Sequence, residues 1–181
     1  MVDFFGRAAI LHSADDRTRI RRHDRQIKDQ AEIRAFLRES RFGFIATTCE
    51  NQPFIHANLF WYDEKNQRIY FHTALEGRAR SNIETNPKIC FSVATMGQLL
   101  PAETAIEFSN EYASVTVFGN ARIADDASEQ QYGLQGLLDK YFPQLKPGED
   151  YSPITDTELQ QTSVFAMEIE AWSGKQKVAG S

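Results

Sequence analysis

At 181 residues, with 41% apolar and 25% charged residues, the chain has the length and balance of one soluble domain with a substantial hydrophobic core. A net charge of −5 weighs against a nucleic-acid binder, and no apolar run has the length of a membrane span or the form of a signal peptide. Cys49 and Cys90 stand apart in apolar, β-like surroundings, which suggests reduced thiols and a cytoplasmic setting; a disulfide between them stays open.

Residues 1–28 form a basic N-terminal arm with five arginines between Arg17 and Arg25, either disordered or laid across the body or a partner subunit. The main domain is expected over residues 29–181. Its first helix is capped by Asp29 and carries Ile33, Phe36 and Leu37 on one face. Strands are expected at 43–48, 53–62 and 68–73, with turns at 50–52 and 63–67 between them. A short helix over 78–85 stops before Pro87, which disfavours helical geometry at Asn86. A fourth strand covers 89–94, and 96–111 reads as a long hairpin loop or rim. The alternation from Tyr112 continues past Gly119 toward Ile123, which places a bend or bulge at that glycine. A helix from Asp125 or Asp126 to Tyr141 and a last strand over 164–171 complete the series. Six β segments with few helices fit a small barrel better than βαβ units, whose crossovers would be too short here.

The richest chemistry lies in 68–82. There a strand ends in His72 and Thr73, Gly77 makes the turn, and Arg78 and Arg80 open a helix. Hydroxyl, imidazole and guanidinium groups around a helix start suit a phosphate. The same letters also describe a hairpin exit with two solvated arginines. In the strand from Pro53, the residues Phe54, His56, Asn58 and Phe60 share one face and Ile55, Ala57, Leu59 and Trp61 the other. The apolar set is expected to back onto the core, leaving His56 and Asn58 for a ligand edge, with Ala57 permitting close approach of a flat ring. No Cys or His spacing marks a metal site, and no nucleophile or glycine-rich phosphate loop stands out. A haem ligand at His56 or His72 remains an alternative. Trp172 either caps a ring or closes the base of the barrel.

The combination Gly43-Phe-Ile-Ala-Thr, Pro53-Phe-Ile-His, Ile69-Tyr-Phe-His-Thr-Ala, Gly77-Arg, Asn82-Ile and Asn86-Pro-Lys resembles the pyridoxamine 5′-phosphate oxidase-like FMN-binding split barrels. Tyr112 to Gly119 and Trp172-Ser-Gly-Lys175 are similar to the flavin-nucleotide-binding branch that includes nitroimidazole-resistance reductases. The resemblance implies a mainly β, six-stranded split β-barrel with peripheral α-helices, and a homodimer with FMN in two clefts between subunits. It implies that His56, Ala57 and Asn58 border the isoalloxazine, that His72 and Thr73 approach the ribityl–phosphate region, and that Arg78 holds the phosphate. Arg80, Asn82, Ser114 and Trp172 are further implied contacts. The implied activity is electron transfer from a nicotinamide donor to a small acceptor, with no catalytic side chain assigned. A protein that stores, delivers or senses FMN is the alternative. The chain lacks the C-terminal Arg-x-His pair of true pyridoxamine 5′-phosphate oxidases, so that particular activity is not expected.

Overall fold

The computed structural model describes residues 16–179. After a 3₁₀ turn at His23–Arg25 the chain forms β1 (Gln26–Ile27), α1 (Gln30–Glu39), β2 (Gly43–Cys49), β3 (Gln52–Asn58), β4 (Trp61–Asp63) and β5 (Arg68–Thr73). It continues through α2 (Arg78–Thr85), β6 (Lys88–Leu100), β7 (Ser109–Ile123), α3 (Ala127–Tyr141), α4 (Asp156–Gln160) and β8 (Ser163–Lys177). The strands pair antiparallel in the order β3-β2-β6-β7-β8-β5-β4, with β1 beside β8. The two ends of that order, β3 and β4, are consecutive in the chain and separated only by Leu59 and Phe60. So short a link cannot span a flat sheet of this width, and the sheet therefore rolls up. Across the seam, the Asn58 side-chain amide donates to the His72 carbonyl at 2.8 Å. The expected mainly β split barrel with peripheral helices is the observed fold.

The sheet has eight strands rather than six. One of the two additions is the two-residue β1. The other arises because the run expected over 53–62 breaks at Leu59–Phe60 into β3 and β4, which serve opposite edges. The 96–111 segment is no simple loop: β6 and β7 continue as a two-stranded arm to Leu100 and from Ser109, with a register shift between Met96 and Leu99. Likewise β8 runs on to Lys177 and absorbs Trp172 to Lys175. Gly119 sits at the expected irregularity, where the β7–β8 register shifts after Phe118; a Cβ there would come within 2.0 Å of the Glu168 carbonyl oxygen.

Ile45, Phe60, Ile69, Phe71, Phe91, Val93, Val115, Val117, Phe165 and Met167 fill the barrel and are almost fully buried. Phe71 and Phe165 stack with ring centres 4.9 Å apart, and Phe60 meets Phe91 edge-on at 4.7 Å. Asp126 caps α3 by accepting from the Ser128 N–H at 2.9 Å. That helix lies close to the sheet because Gly136 faces Trp61; a Cβ at Gly136 would fall 2.1 Å from the indole. In the described part of the arm, Ile20 and Ile27 are buried, and Arg17 and Arg25 lie over the rings of Phe118 and Tyr112 in β7. Residues 1–15 lie outside the described residues. Both cysteines are free thiols. Among the described residues no helix is long and apolar enough to cross a membrane.

Candidate functional site

Strand pairing assigns each site residue to a face. On β2 and β3, Ile45 pairs with His56 and Thr47 with Phe54; Ile45 and Thr47 are buried, so this side faces inward. Phe44 pairs with Ala57 and Ala46 with Ile55 on the outer side. The expectation that Ile55, Ala57 and Leu59 back onto the core is therefore reversed. Ile55 is 62% exposed and Leu59 45%, whereas Phe54, His56 and Asn58 are half-buried. The physical reason is that β3 is a sheet edge at the barrel mouth. Its inward positions are half-buried, and its outward positions are exposed among the described residues.

At that mouth the separate pieces converge. Gly77 adopts φ 147°, a conformation that favours glycine, and turns the chain into α2. Arg78 follows, and its guanidinium lies 5.7 Å from the centre of the Phe54 ring. Phe54 in turn stacks on His56, with ring centres 5.8 Å apart. Asn58 reaches the His72 carbonyl, and Thr73 follows at the end of β5, its hydroxyl donating to the Ala74 carbonyl at 2.8 Å. The structure thus brings Arg78 to Phe54 and His56, and Asn58 to the backbone of His72. The His72 side chain itself, paired with Val164, lies on the Tyr70 and Ala166 side of β5, opposite the barrel-filling Phe71, and is not brought to His56. Asn82 stands behind them, buried, with its amide donating to the Thr47 hydroxyl at 2.9 Å, and so ties α2 to β2.

The electrostatics of this group suit an anionic, polar ligand. Burial holds both His56 and His72 below the ordinary imidazole value, which favours the neutral ring at neutral pH. Both ring nitrogens of His56 and Nδ1 of His72 are buried with no hydrogen-bond partner among the described residues. Buried polar atoms are as a rule hydrogen-bonded, so these atoms leave donor and acceptor capacity for a ligand or a water. Arg78 is exposed and makes no ion pair among the described residues, and no side chain caps the start of α2. Unpaired helix N–H groups and an uncommitted guanidinium therefore stand side by side.

The other named residues lie elsewhere in the chain. Arg80 points away from Arg78: it binds Glu84 at 2.9 Å and the Ser163 hydroxyl at 2.7 Å, and lines a separate cavity of about 470 Å³ beside α4. Ala57 is on the outer face of β3, and Ser114 on the outer face of β7, paired with Ala94 and Lys175. Trp172 faces inward opposite Val117; its indole N–H donates to Gln30 at 2.5 Å and its ring carries Arg34 at 5.6 Å. Sequence reasoning did not single out Phe54 as the bridge between Arg78 and His56. The period-two alternation from Pro53 held that signal, since it puts Phe54 and His56 on one side.

A model of the family described as pyridoxamine 5′-phosphate oxidase matches residues 29–176, which include every strand except β1 and the last residue of β8. The chain belongs to the pyridoxamine 5′-phosphate oxidase family. Similar solved structures include the flavocytochrome Anf3 from Azotobacter vinelandii, with TM-score 0.77 and 24% identity over 91% of this chain and 75% of that one. The FAD and heme binding protein from Mycobacterium smegmatis gives 0.75 and 20%, over 84% and 73% of the two chains. A Bacteroides thetaiotaomicron structure, named as a candidate 5-nitroimidazole antibiotic resistance protein, gives 0.70 and 19%, over 83% and 86%. At these identities the likeness is one of fold. No curated protein sequence matches the chain.

Proposed function

We propose that this protein binds FMN at the mouth formed by β3, β5 and α2 and uses it as an oxidoreductase. The observation that carries this reading is the uncommitted Arg78 at the entry of α2, stacked on Phe54 beside an unpartnered His56. Arg78 and the free N–H groups of α2 would hold the phosphate, and Thr73 would donate to it or to the ribityl chain. His56 and Asn58 would border the ring, with the neutral His56 imidazole supplying a donor and an acceptor. When bound, the flavin supplies reversible electron transfer between a nicotinamide donor and a small acceptor. The chain's own part is to bind, orient and exclude water.

The outer face supports a homodimer. Phe44, Ile55 and Leu59 are exposed on β2, β3 and the link after it, next to Phe42 at 52% exposure. An apolar patch of this kind on a soluble domain fits burial against a second copy. Turnover of pyridoxamine 5′-phosphate itself is not part of the proposal, because the segment after Trp172 reads Ser-Gly-Lys-Gln-Lys without an Arg-x-His pair.

The absorption spectrum of the purified protein, with the released chromophore identified after denaturation, tests the cofactor. Bound FMN is expected; colourless protein that takes up no added FMN would overturn the reading. A haem-binding role is the second reading, favoured by the unpartnered nitrogens of His56 and His72 and by the two haem-protein names among the similar structures. An intense Soret band would establish it. Anaerobic stopped-flow separates an oxidoreductase from a cytoplasmic carrier of FMN: absence of both donor-driven reduction and acceptor-driven reoxidation would leave only binding.

A further inference from the structure

Where α1 and α3 both end, the flavin reading leaves a cavity of about 350 Å³ unused. It is lined by Arg38 and Glu39 from α1, Arg41 from the link to β2, Lys140 and Tyr141 from α3, and Pro143 beyond. Tyr141 ties the parts together: its hydroxyl donates to the Arg41 carbonyl at 2.6 Å and accepts from the Phe60 N–H at 3.1 Å. The Lys140 Nζ lies over two rings, 3.6 Å from the centre of Phe60 and 5.4 Å from that of Tyr141. It is buried and has no hydrogen-bond partner among the described residues. Ring faces attract the charge, yet three strong N–H donors are left unused. Burial without an acceptor lowers the amine to about 8. A lysine in the last turn of α3 also complements the helix dipole. One placed for that purpose alone would turn its N–H groups to the last carbonyls, and Lys140 does not.

The neighbouring charges decide which ligand those donors suit. Arg38 is answered by Glu64 at 2.6 Å. Arg41 is exposed and makes no ion pair among the described residues, and Glu39 is likewise exposed and unpaired there. With Lys140 charged, the lining therefore holds one positive charge in excess. That excess matches a single negative charge; a doubly charged phosphate would overshoot it beside Glu39. A carboxylate brings one charge and two acceptor oxygens, which serve an ammonium and a planar guanidinium together. None of these residues belongs to the mouth formed by β3, β5 and α2.

We propose that this cavity is a binding site for a small monocarboxylate, held between the Lys140 ammonium and the Arg41 guanidinium. The flexible stem of Lys140, itself part of the lining, carries the ammonium off the rings to the ligand. Binding gives an orphaned buried donor a charge-assisted hydrogen bond, and it does not depend on the flavin.

The test is NMR titration of the full chain carrying isotope-labelled lysine, with the Lys140 side-chain signal identified by its loss in Lys140→Met. Acetate is the probe, and chloride at equal ionic strength is the control. Acetate should move the Lys140 signal saturably and raise its titration midpoint from about 8 toward the ordinary 10.5, and chloride should do neither. Arg41→Ala should weaken acetate about tenfold, and Arg41→Lys, which keeps the charge, should restore part of the loss. A Lys140 signal that acetate does not saturate, or that chloride moves equally, would overturn the proposal. So would equal acetate affinity in the natural protein and Arg41→Ala, or inorganic phosphate bound more tightly than acetate near neutral pH.

Discussion

Replacing Arg78 with alanine removes one exposed guanidinium in the first turn of α2 and little else. The side chain makes no ion pair among the described residues, and its contact with Phe54 at 5.7 Å is worth about 0.5–1 kcal/mol at so exposed a place. Alanine favours helix at least as well as arginine, so thermal stability should move little. The loss should fall on the ligand. A charge-assisted hydrogen bond to a phosphate contributes about 1.5–3 kcal/mol, which is roughly a 10- to 150-fold loss of FMN affinity. Riboflavin, which lacks the phosphate, should bind both proteins alike. Arg80→Ala is the control. It breaks bonds to Glu84 and Ser163 and should lower stability while leaving the ratio of FMN to riboflavin affinity near that of the natural protein. Fluorescence titration of the three folded proteins with both ligands is the assay. Equal losses for FMN and riboflavin in Arg78→Ala would mean a general defect of the mouth, and unchanged FMN affinity would remove Arg78 from it.

Four further outcomes are expected. Because burial depresses the imidazoles of His56 and His72 below their ordinary 6.5, the unfolded chain binds more protons just below that pH. Stability should therefore fall as pH drops below about 6.5, and the His56→Gln, His72→Gln double variant should show a shallower fall in urea titrations at pH 7.5 and 5.5; equal slopes would refute the assignment. Burial lowers the Lys140 amine to about 8, with its Nζ 3.6 Å over the Phe60 ring, so the unfolded chain holds more protons between there and 10.5 and stability should rise with pH in that window. Lys140→Met should abolish that rise and add roughly 1–2 kcal/mol at pH 7 after allowance for solvent screening, whereas a less stable variant would contradict it. Gly136→Ala should cost about 1–3 kcal/mol by forcing Trp61 and α3 apart, read as a lower urea midpoint. Ile55→Asp should turn a dimer into a monomer in light scattering, and a natural protein that is already monomeric with cofactor bound would refute the dimer.

Most of the barrel was legible because its strands alternate or are continuously apolar and its turns carry clear signals. Asp126 and Pro87 marked helix ends for local reasons that survive folding. What was missed depended on partners far away in the chain. Nothing local in 53–62 says that Leu59 and Phe60 leave the strand so that β3 and β4 can serve opposite edges. The apolar side of β3 looked like core, because alternation reveals two faces but not which of them is covered. The polar letters after Met96 hid an arm that is held by pairing with β7 rather than by burial. For α4 the sequence did hold a signal: Thr155 and Glu158 form a capping box, and the spacing is visible in the letters. In the site, residue types at a strand end and helix start were enough to bring Arg78, His72 and Thr73 into view. Separating Arg78 from Arg80 required the fold, since only the position of Ser163 shows where Arg80 is spent.

The last strand has a temporal consequence for the mouth. His72 pairs with Val164 and Thr73 with Ser163, and β8 also pairs with β7 and β1. The end of β5 that presents these two residues is therefore held by chain made almost a hundred positions later. Contacts of such separation form slowly, after the local hairpins β2–β3 and β6–β7. During synthesis, a ribosome-bound chain that ends before β8 can have both hairpins and α2 in place and still lack a mouth. Loading with a ligand then becomes an event of the completed polypeptide, and a truncation that removes β8 should be empty as well as unstable.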